Sequence, residues 1–166
     1  MVQKNTRVII FISLSLFSLL ACASTHELYR GETAKQADRI HIVSGGTESG
    51  IWNTNELAVH YTYTSLPDRL SLEGNISISE SITNSYPKIR SLSLLVSFLY
   101  TDGRVISTHH ISPLYSVNST APEKIPFNAS VSLPGEAAAF CFSYSGEFLG
   151  DDRKWDSLHI GKDPFQ

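Results

Sequence analysis

The stretch "SLSLLVSFLYTDGRVISTHHIS", residues 91–112, decides the fold class. Ser91 to Tyr100 is an apolar run with strand-like character, and Arg104 to Ser112 returns after a short polar break. The break contains Asp102-Gly103, which is typical of a two-residue type I′ hairpin loop, because Asp and Gly tolerate the positive φ angles of that loop. The stretch therefore predicts two antiparallel strands joined by a tight turn.

Alternation of apolar and polar residues with period two extends from this hairpin through most of the chain. In residues 70–79 the alternation is interrupted at Gly74, which suggests a bulge or a close approach of backbone. We predict strands over 40–42, 57–64, 70–79, 91–100, 104–112, 125–133, 138–145 and 156–160. Seven or eight strands without a clear helix indicate an all-β fold, an antiparallel β-sandwich of immunoglobulin-like layout. A small β-barrel has the same strand pattern and stays open as an alternative.

The register of the hairpin predicts an apolar patch on the outside of the sandwich. With Asp102 and Gly103 as the loop, Tyr100 lies opposite Val105, and both face the core. The opposite face then carries three apolar side chains close together: Leu95, Leu99 and Ile106. Such a patch requires a cover. The cover is either the chain itself, through Leu28-Tyr29 or Pro164-Phe165, or a partner protein that docks on the hairpin.

The N-terminus has the pattern of a secretory signal peptide. Lys4 and Arg7 precede an uncharged apolar run from Val8 to Leu20, which ends at small residues. This run is too short to cross a bilayer as a helix, which needs about 20 residues. We therefore predict an exported protein whose first 21 residues are removed; the alternative is an N-terminal anchor helix that stays uncleaved.

The four residues Leu19-Leu20-Ala21-Cys22 resemble the lipobox of bacterial lipoproteins. The resemblance implies cleavage between Ala21 and Cys22 and attachment of diacylglycerol to the Cys22 sulfur. Two or more acyl chains hold a protein stably on a membrane, whereas one holds it only marginally. Ala23 stands where lipoproteins of the inner membrane often carry Asp, so the analogy favours the outer membrane, facing the periplasm. The predicted address is the bacterial cell envelope.

The rest of the chain is predicted to be a tether followed by one domain. Residues 22–39 are mostly polar without sustained periodicity, and we interpret them as a lipidated tether; residues 40–166 form the β-sandwich domain. Without Lys4 and Arg7 the chain has 11 basic and 16 acidic residues, a formal charge of −5. Because no basic stripe is present, nucleic acid is not expected as a partner.

Part of the domain resembles the FxLYD-type β-sandwich domains of exported bacterial proteins. Phe98, Tyr100, Asp102 and Gly103 carry the resemblance, although Thr101 separates Tyr100 from the Asp that directly follows it in that family. The resemblance covers residues 70 to 145 at most. It implies a sandwich and no particular activity.

No catalytic arrangement emerges from the sequence, and we predict a protein that is not an enzyme and that binds no metal or cofactor. His109 and His110 are adjacent and would point to opposite faces of a strand. Cys141 lies in an apolar run, where a free cysteine is most often a small buried hydrophobe. Trp52 and Trp155 lie in polar surroundings, where they could contact a sugar or a protein partner, or instead plug the ends of the sandwich.

These observations predict a lipid-anchored, non-catalytic envelope protein whose β-sandwich binds another envelope component. The membrane is a partner through the lipid on Cys22, and a second envelope protein is the other expected partner. The alternative is a glycan-binding or small-ligand module that uses the loops of Trp52 and Trp155.

Overall fold

The computed structural model describes residues 28–112, 119–150 and 156–165, which form two antiparallel β-sheets packed against each other. The strands are β1 (Ile40–His41), β2 (Thr47–Asn53), β3 (Leu57–Ser65), β4 (Arg69–Ile78), β5 (Lys88–Leu99), β6 (Val105–His110), β7 (Ser119–Thr120), β8 (Ile125–Ser132), β9 (Ala139–Leu149) and β10 (Ser157–Lys162). All eight predicted strands are present, as β1, β3, β4, β5, β6, β8, β9 and β10. Since the two sheets share no strand within the described residues, the sandwich is confirmed and the small barrel is wrong.

Sheet I is built around two long central strands. Strands β5 and β9 pair from Lys88 opposite Leu149 to Leu99 opposite Ala139. On its side away from β5, strand β9 pairs with β1 and β10. On its side away from β9, strand β5 pairs with β6 and β7. Each edge of sheet I is therefore made of two shorter strands placed end to end.

Sheet II has four strands in the order β2-β3-β4-β8. Gly74 in β4 lies where a side chain has no room, because a Cβ there would collide with the carbonyl oxygen of His60 and lie 2.9 Å from Cζ of Phe127. Strands β3 and β4 pair without a register shift. The predicted interruption at Gly74 is therefore a close approach of backbone, and not a bulge.

The core between the sheets is rich in aromatic rings. Tyr61 of β3 lies 5.3 Å from Phe142 of β9, and Tyr63 lies 5.4 Å from Phe140, measured between ring centroids. Tilted and edge-on contacts of this kind are the favoured geometries of aromatic pairs. These rings project from facing sides of β3 in sheet II and β9 in sheet I. Alternate residues of each strand therefore form the core.

The β5–β6 hairpin differs from its predicted form by one residue. The N–H of Gly103 donates to the carbonyl of Tyr100 at 3.0 Å, and the N–H of Tyr100 donates to the carbonyl of Arg104 at 2.9 Å. Gly103 has a φ of +91° and Asp102 does not have a positive φ. The loop is thus Thr101 to Gly103, a turn followed by one left-handed glycine, and not the predicted two-residue type I′ loop.

A second irregularity restores the register further down the hairpin. Leu99 lies opposite Val105, whereas Phe98 lies opposite Ser107, so Ile106 is an extra residue in β6. This bulge exchanges the faces predicted for two residues. Val105 belongs to the outer face of sheet I together with Leu99, and Ile106 packs against the core between the sheets. Beyond the bulge, the predicted pair of Leu95 with His110 is confirmed.

Residues 28–35, which we call the N-terminal strap, are not a free tether. The N–H of Gly31 donates to the carbonyl of Val105 at 3.1 Å, and the N–H of Val105 donates to the carbonyl of Glu32 at 2.8 Å. The N–H of Ala34 donates to the carbonyl of Gly103 at 2.9 Å. The predicted boundary at residue 39 is therefore wrong, because the folded domain includes the strap. Residues 22–27 lie outside the described residues.

Three elements of the structure are missing from the sequence-based prediction. They are strand β2, strand β7 and a one-turn helix, α1 (Glu80–Thr83), which lies between β4 and β5. Strand β2 lacks the alternation of the other strands because only Trp52 among its seven residues is buried. Its solvated sequence therefore carries almost no period-two signal.

Candidate functional site

The predicted apolar patch does not offer a surface to a partner. Leu99 is fully buried and Leu95 is 5% exposed, while Ile106 turns toward the core between the sheets. Leu99 belongs to an outer cluster of buried residues on the outside of sheet I: Ala34, Leu99, Val105, Ala139, Cys141 and Phe165. The prediction that Leu95, Leu99 and Ile106 bind a partner is therefore wrong for this set of residues.

The chain itself covers the patch, and both of the predicted covering segments take part. The ring of Tyr29 packs on the ring of Phe165, with centroids 4.6 Å apart, and Phe165 pairs with Ala34 in an isolated β-bridge. Thr108 on β6 donates its hydroxyl hydrogen to the carbonyl of Leu28 at 2.8 Å. The N-terminal strap and the C-terminal residues thus form one layer over the outer cluster.

Trp52 is a core residue and not an exposed ligand platform. Its side chain is 7% exposed, and its indole N–H donates to Oδ1 of Asp38 at 3.1 Å. The ammonium of Lys162 donates to the same Asp38 oxygen at 2.8 Å and lies 5.0 Å from the Trp52 ring centroid. This position within the core cluster removes the indole ring from the surface. It excludes the predicted role of Trp52 in partner or glycan binding, and Trp155 lies outside the described residues.

Tyr144 is a buried residue whose hydroxyl is shifted away from proton transfer. Burial raises the pKa of the Tyr144 hydroxyl to about 12, and its hydrogen bond to Glu56 also raises it, against a lowering by Thr54. Tyr144 donates to Oε2 of Glu56 at 2.7 Å and lies 3.0 Å from the hydroxyl of Thr54. The three residues tie the β2–β3 turn to β9. A phenol with a raised pKa is a poor proton donor at neutral pH.

Cys141 is the free cysteine of the outer cluster. Burial, followed by the carboxylates of Asp38 and Asp163, raises the pKa of its thiol to about 12 from 9.0. Since the thiolate is the reactive form, the thiol should react slowly with a bulky maleimide in the native state. The sequence-based prediction that Cys141 is buried is confirmed.

We expect the Cys141 thiol to make the protein less stable at alkaline pH. The unfolded thiol ionises near pH 9 and the folded thiol near pH 12. Between these values the folded state binds more protons, so the free energy of unfolding falls as pH rises, by up to about 1.4 kcal/mol per pH unit. Urea unfolding at about pH 8.5 and 10.5 should show a larger loss for the wild type than for Cys141→Ala, by roughly 2 kcal/mol. Equal losses in the two proteins would contradict this.

The outer face of sheet II carries an open groove of about 730 Å³. Its floor is backbone at Gly50, Tyr61, Gly74 and Phe127, which pair across the four strands. Two rows of outward side chains line it: Ser49, Thr62, Glu73 and Asn128 on one side, and Ile51, His60 and Asn75 on the other. The lining is mostly polar, and Ile51 adds an apolar side chain that is 57% exposed.

Two details distinguish the residues around this groove. Oδ1 of Asn75 is buried without a hydrogen-bond partner, which is costly unless a further donor reaches it. Gly50 leaves space that the Tyr61 hydroxyl fills, so a Cβ at position 50 would collide with that hydroxyl. Sequence reasoning missed the groove because its lining residues come from four strands. The glycines at positions 50 and 74 were the available signal.

Comparisons with known proteins bring no relatives to this chain: no family model, no curated protein and no solved structure matches it. The resemblances to bacterial lipoproteins and to FxLYD-type domains therefore stay predictions. In the described part of the chain, no helix has the length and apolar character to cross a membrane, and no group of three or more His, Cys, Asp and Glu is placed to hold a metal ion. Ala21 and Cys22 lie outside the described residues.

Proposed function

We propose that the protein is a lipid-anchored, non-catalytic component of the bacterial envelope that binds another envelope protein through the outer face of sheet II. The observation that carries this proposal is where Leu28 lies in the fold. Leu28 accepts a hydrogen bond from Thr108 on the outside of sheet I. The lipid on Cys22 would therefore hold sheet I toward the membrane and leave sheet II facing away.

The reach of the connecting segment supports this orientation. Six residues from Cys22 to Leu28 span at most about 20 Å when fully extended. Packed sheets lie about 10 Å apart, so the outer face of sheet II would be the more distant of the two faces. The groove and the exposed Ile51 lie on that distant face.

Site-specific photocrosslinking in intact cells tests the proposal. A benzoylphenylalanine at His60, exposed on the outer face of sheet II, should form an adduct with an envelope protein, and the matched position Ser145, exposed on β9 of sheet I, should not. The adduct should disappear in Cys22→Ala, which releases the protein from the membrane. Equal adducts at both positions, or no adduct at His60, would refute the proposal.

A further inference from the structure

Strand β2 is an exposed edge of sheet II. Its seven residues pair with β3 on one side, and no described strand pairs with the other side. The N–H of Ser65 donates to the carbonyl of Gly46 at 2.9 Å, and the N–H of Thr54 donates to the carbonyl of Leu57 at 2.9 Å. Bonded positions alternate along an antiparallel strand. The backbone groups of the intervening residues therefore point to the open side: Thr47, Ser49, Ile51 and Asn53.

The other edge strands carry protection that β2 lacks. Strand β8 contains Pro126, and the N-terminal strap bonds to Val105 of β6. Strands β1 and β7 have two residues each, and β10 ends at Lys162, which is paired with Asp38. Proline, short length, charge and covering segments are the usual devices that prevent strand addition at an edge. Strand β2 has no proline and one charged residue, Glu48.

We infer that the open edge of β2 binds an extended peptide segment of the partner protein, which adds to sheet II as a fifth strand. The inference rests on the proposed function and specifies its partner. Backbone hydrogen bonds at Ser49 and Ile51 supply the binding, and side chains supply the selectivity. A residue opposite Ile51 lies on the outer face beside an apolar side chain that is 57% exposed, and it is therefore apolar. A residue opposite Glu48 is basic, because its charge complements that carboxylate.

A blocked heptapeptide tests the edge directly. The probe is Ac-TTVTVKT-NH2, which in antiparallel register places its valines opposite Ile51 and Ser49 and its lysine opposite Glu48. Fluorescence anisotropy with a labelled probe, titrated with the full lipid-anchored chain in detergent micelles, measures binding. The same peptide with both valine nitrogens methylated should bind at least about tenfold more weakly, since two backbone hydrogen bonds are lost.

Two variants of one residue separate edge binding from binding elsewhere. Ser49→Pro removes an N–H that points away from β3, so the fold should tolerate it at an edge. Ser49→Ala keeps the N–H and removes only the hydroxyl that lies 2.8 Å from the Thr62 hydroxyl. We expect Ser49→Ala to bind the probe like the wild type, and Ser49→Pro to lose binding at least about tenfold.

The outcomes are decisive in each direction. Loss of binding with the methylated peptide and with Ser49→Pro, while Ser49→Ala binds normally, supports the inference. If Ser49→Pro does not fold, the methylated peptide on the wild type still decides. The inference is overturned if the methylated and unmethylated peptides bind equally and Ser49→Pro binds the probe like the wild type. It is also overturned if the probe does not bind to the wild type. If the inference is overturned but the crosslink at His60 is still observed, the proposed function is retained and only the binding at the β2 edge is rejected.

Discussion

Replacing Leu99 by lysine should lower the melting temperature by about 10 °C or more, because the side chain is fully buried in the outer cluster. An ammonium placed there has no partner among the cluster residues, and an unpaired buried charge costs several kcal/mol. For a chain of this size each kcal/mol corresponds to roughly 2–4 °C. Thermal unfolding followed by circular dichroism measures the effect.

A matched control uses the same chemical change at an exposed strand position. Ile51→Lys replaces an aliphatic side chain that is 57% exposed, so its effect on the free energy of unfolding should stay within about 0.5 kcal/mol. Phe165→Ala removes part of the cover and should destabilise the protein by about 3 kcal/mol. A Leu99→Lys protein that melts like the wild type would mean that the strap does not cover Leu99 in solution.

Cys22→Ala should abolish lipid labelling and release the protein from the membrane fraction completely. Each buried methylene contributes about 0.8 kcal/mol to membrane binding, so loss of the acyl chains removes the predicted anchor. The melting temperature of the domain should not change, because the buried residues of both core clusters lie between Ala34 and Phe165. Labelling with radioactive palmitate and fractionation of membranes measure the two effects.

The second cysteine of the chain provides the control for this experiment. Cys141→Ala should keep the label and the membrane location, because Cys141 is buried in the domain. Label that persists in Cys22→Ala would show that the lipid is attached elsewhere. Protein that stays in the membrane fraction without label would point to an anchor other than the lipid.

Strands with more buried residues were easier to predict from the sequence. Strands β3, β4 and β8 have one face in the core and showed period two, whereas β5 and β9 are buried on both faces over most of their length and showed apolar runs. Strand β2 has a single buried residue and was missed. An edge strand whose faces are largely solvated is held by backbone hydrogen bonds to its neighbour. Those bonds leave no pattern in the side chains, so the strand that defines the candidate site was the least visible.

The hairpin illustrates where local sequence stops being decisive. Asp102-Gly103 predicts a tight turn, yet the same dipeptide fits a two-residue loop and a three-residue loop that ends in a left-handed glycine. The choice moves Val105 from one face of the sheet to the other. In the folded protein Val105 shares the outer cluster with Leu99, and the bulge at Ile106 restores the register that the core requires. Packing of both faces selected the longer loop.

The sequence by itself determined an all-β sandwich, the hairpin at residues 100–104 and the burial of Cys141, because each depends on alternation or on a local run of apolar residues. Only the tertiary structure decided what covers Leu99, since Tyr29 and Phe165 meet there from opposite ends of the chain. It also decided that Trp52 belongs to the core, through Asp38 and Lys162. Contacts between residues far apart in the chain depend on strand register and on the packing of layers, and a local sequence pattern specifies neither of these.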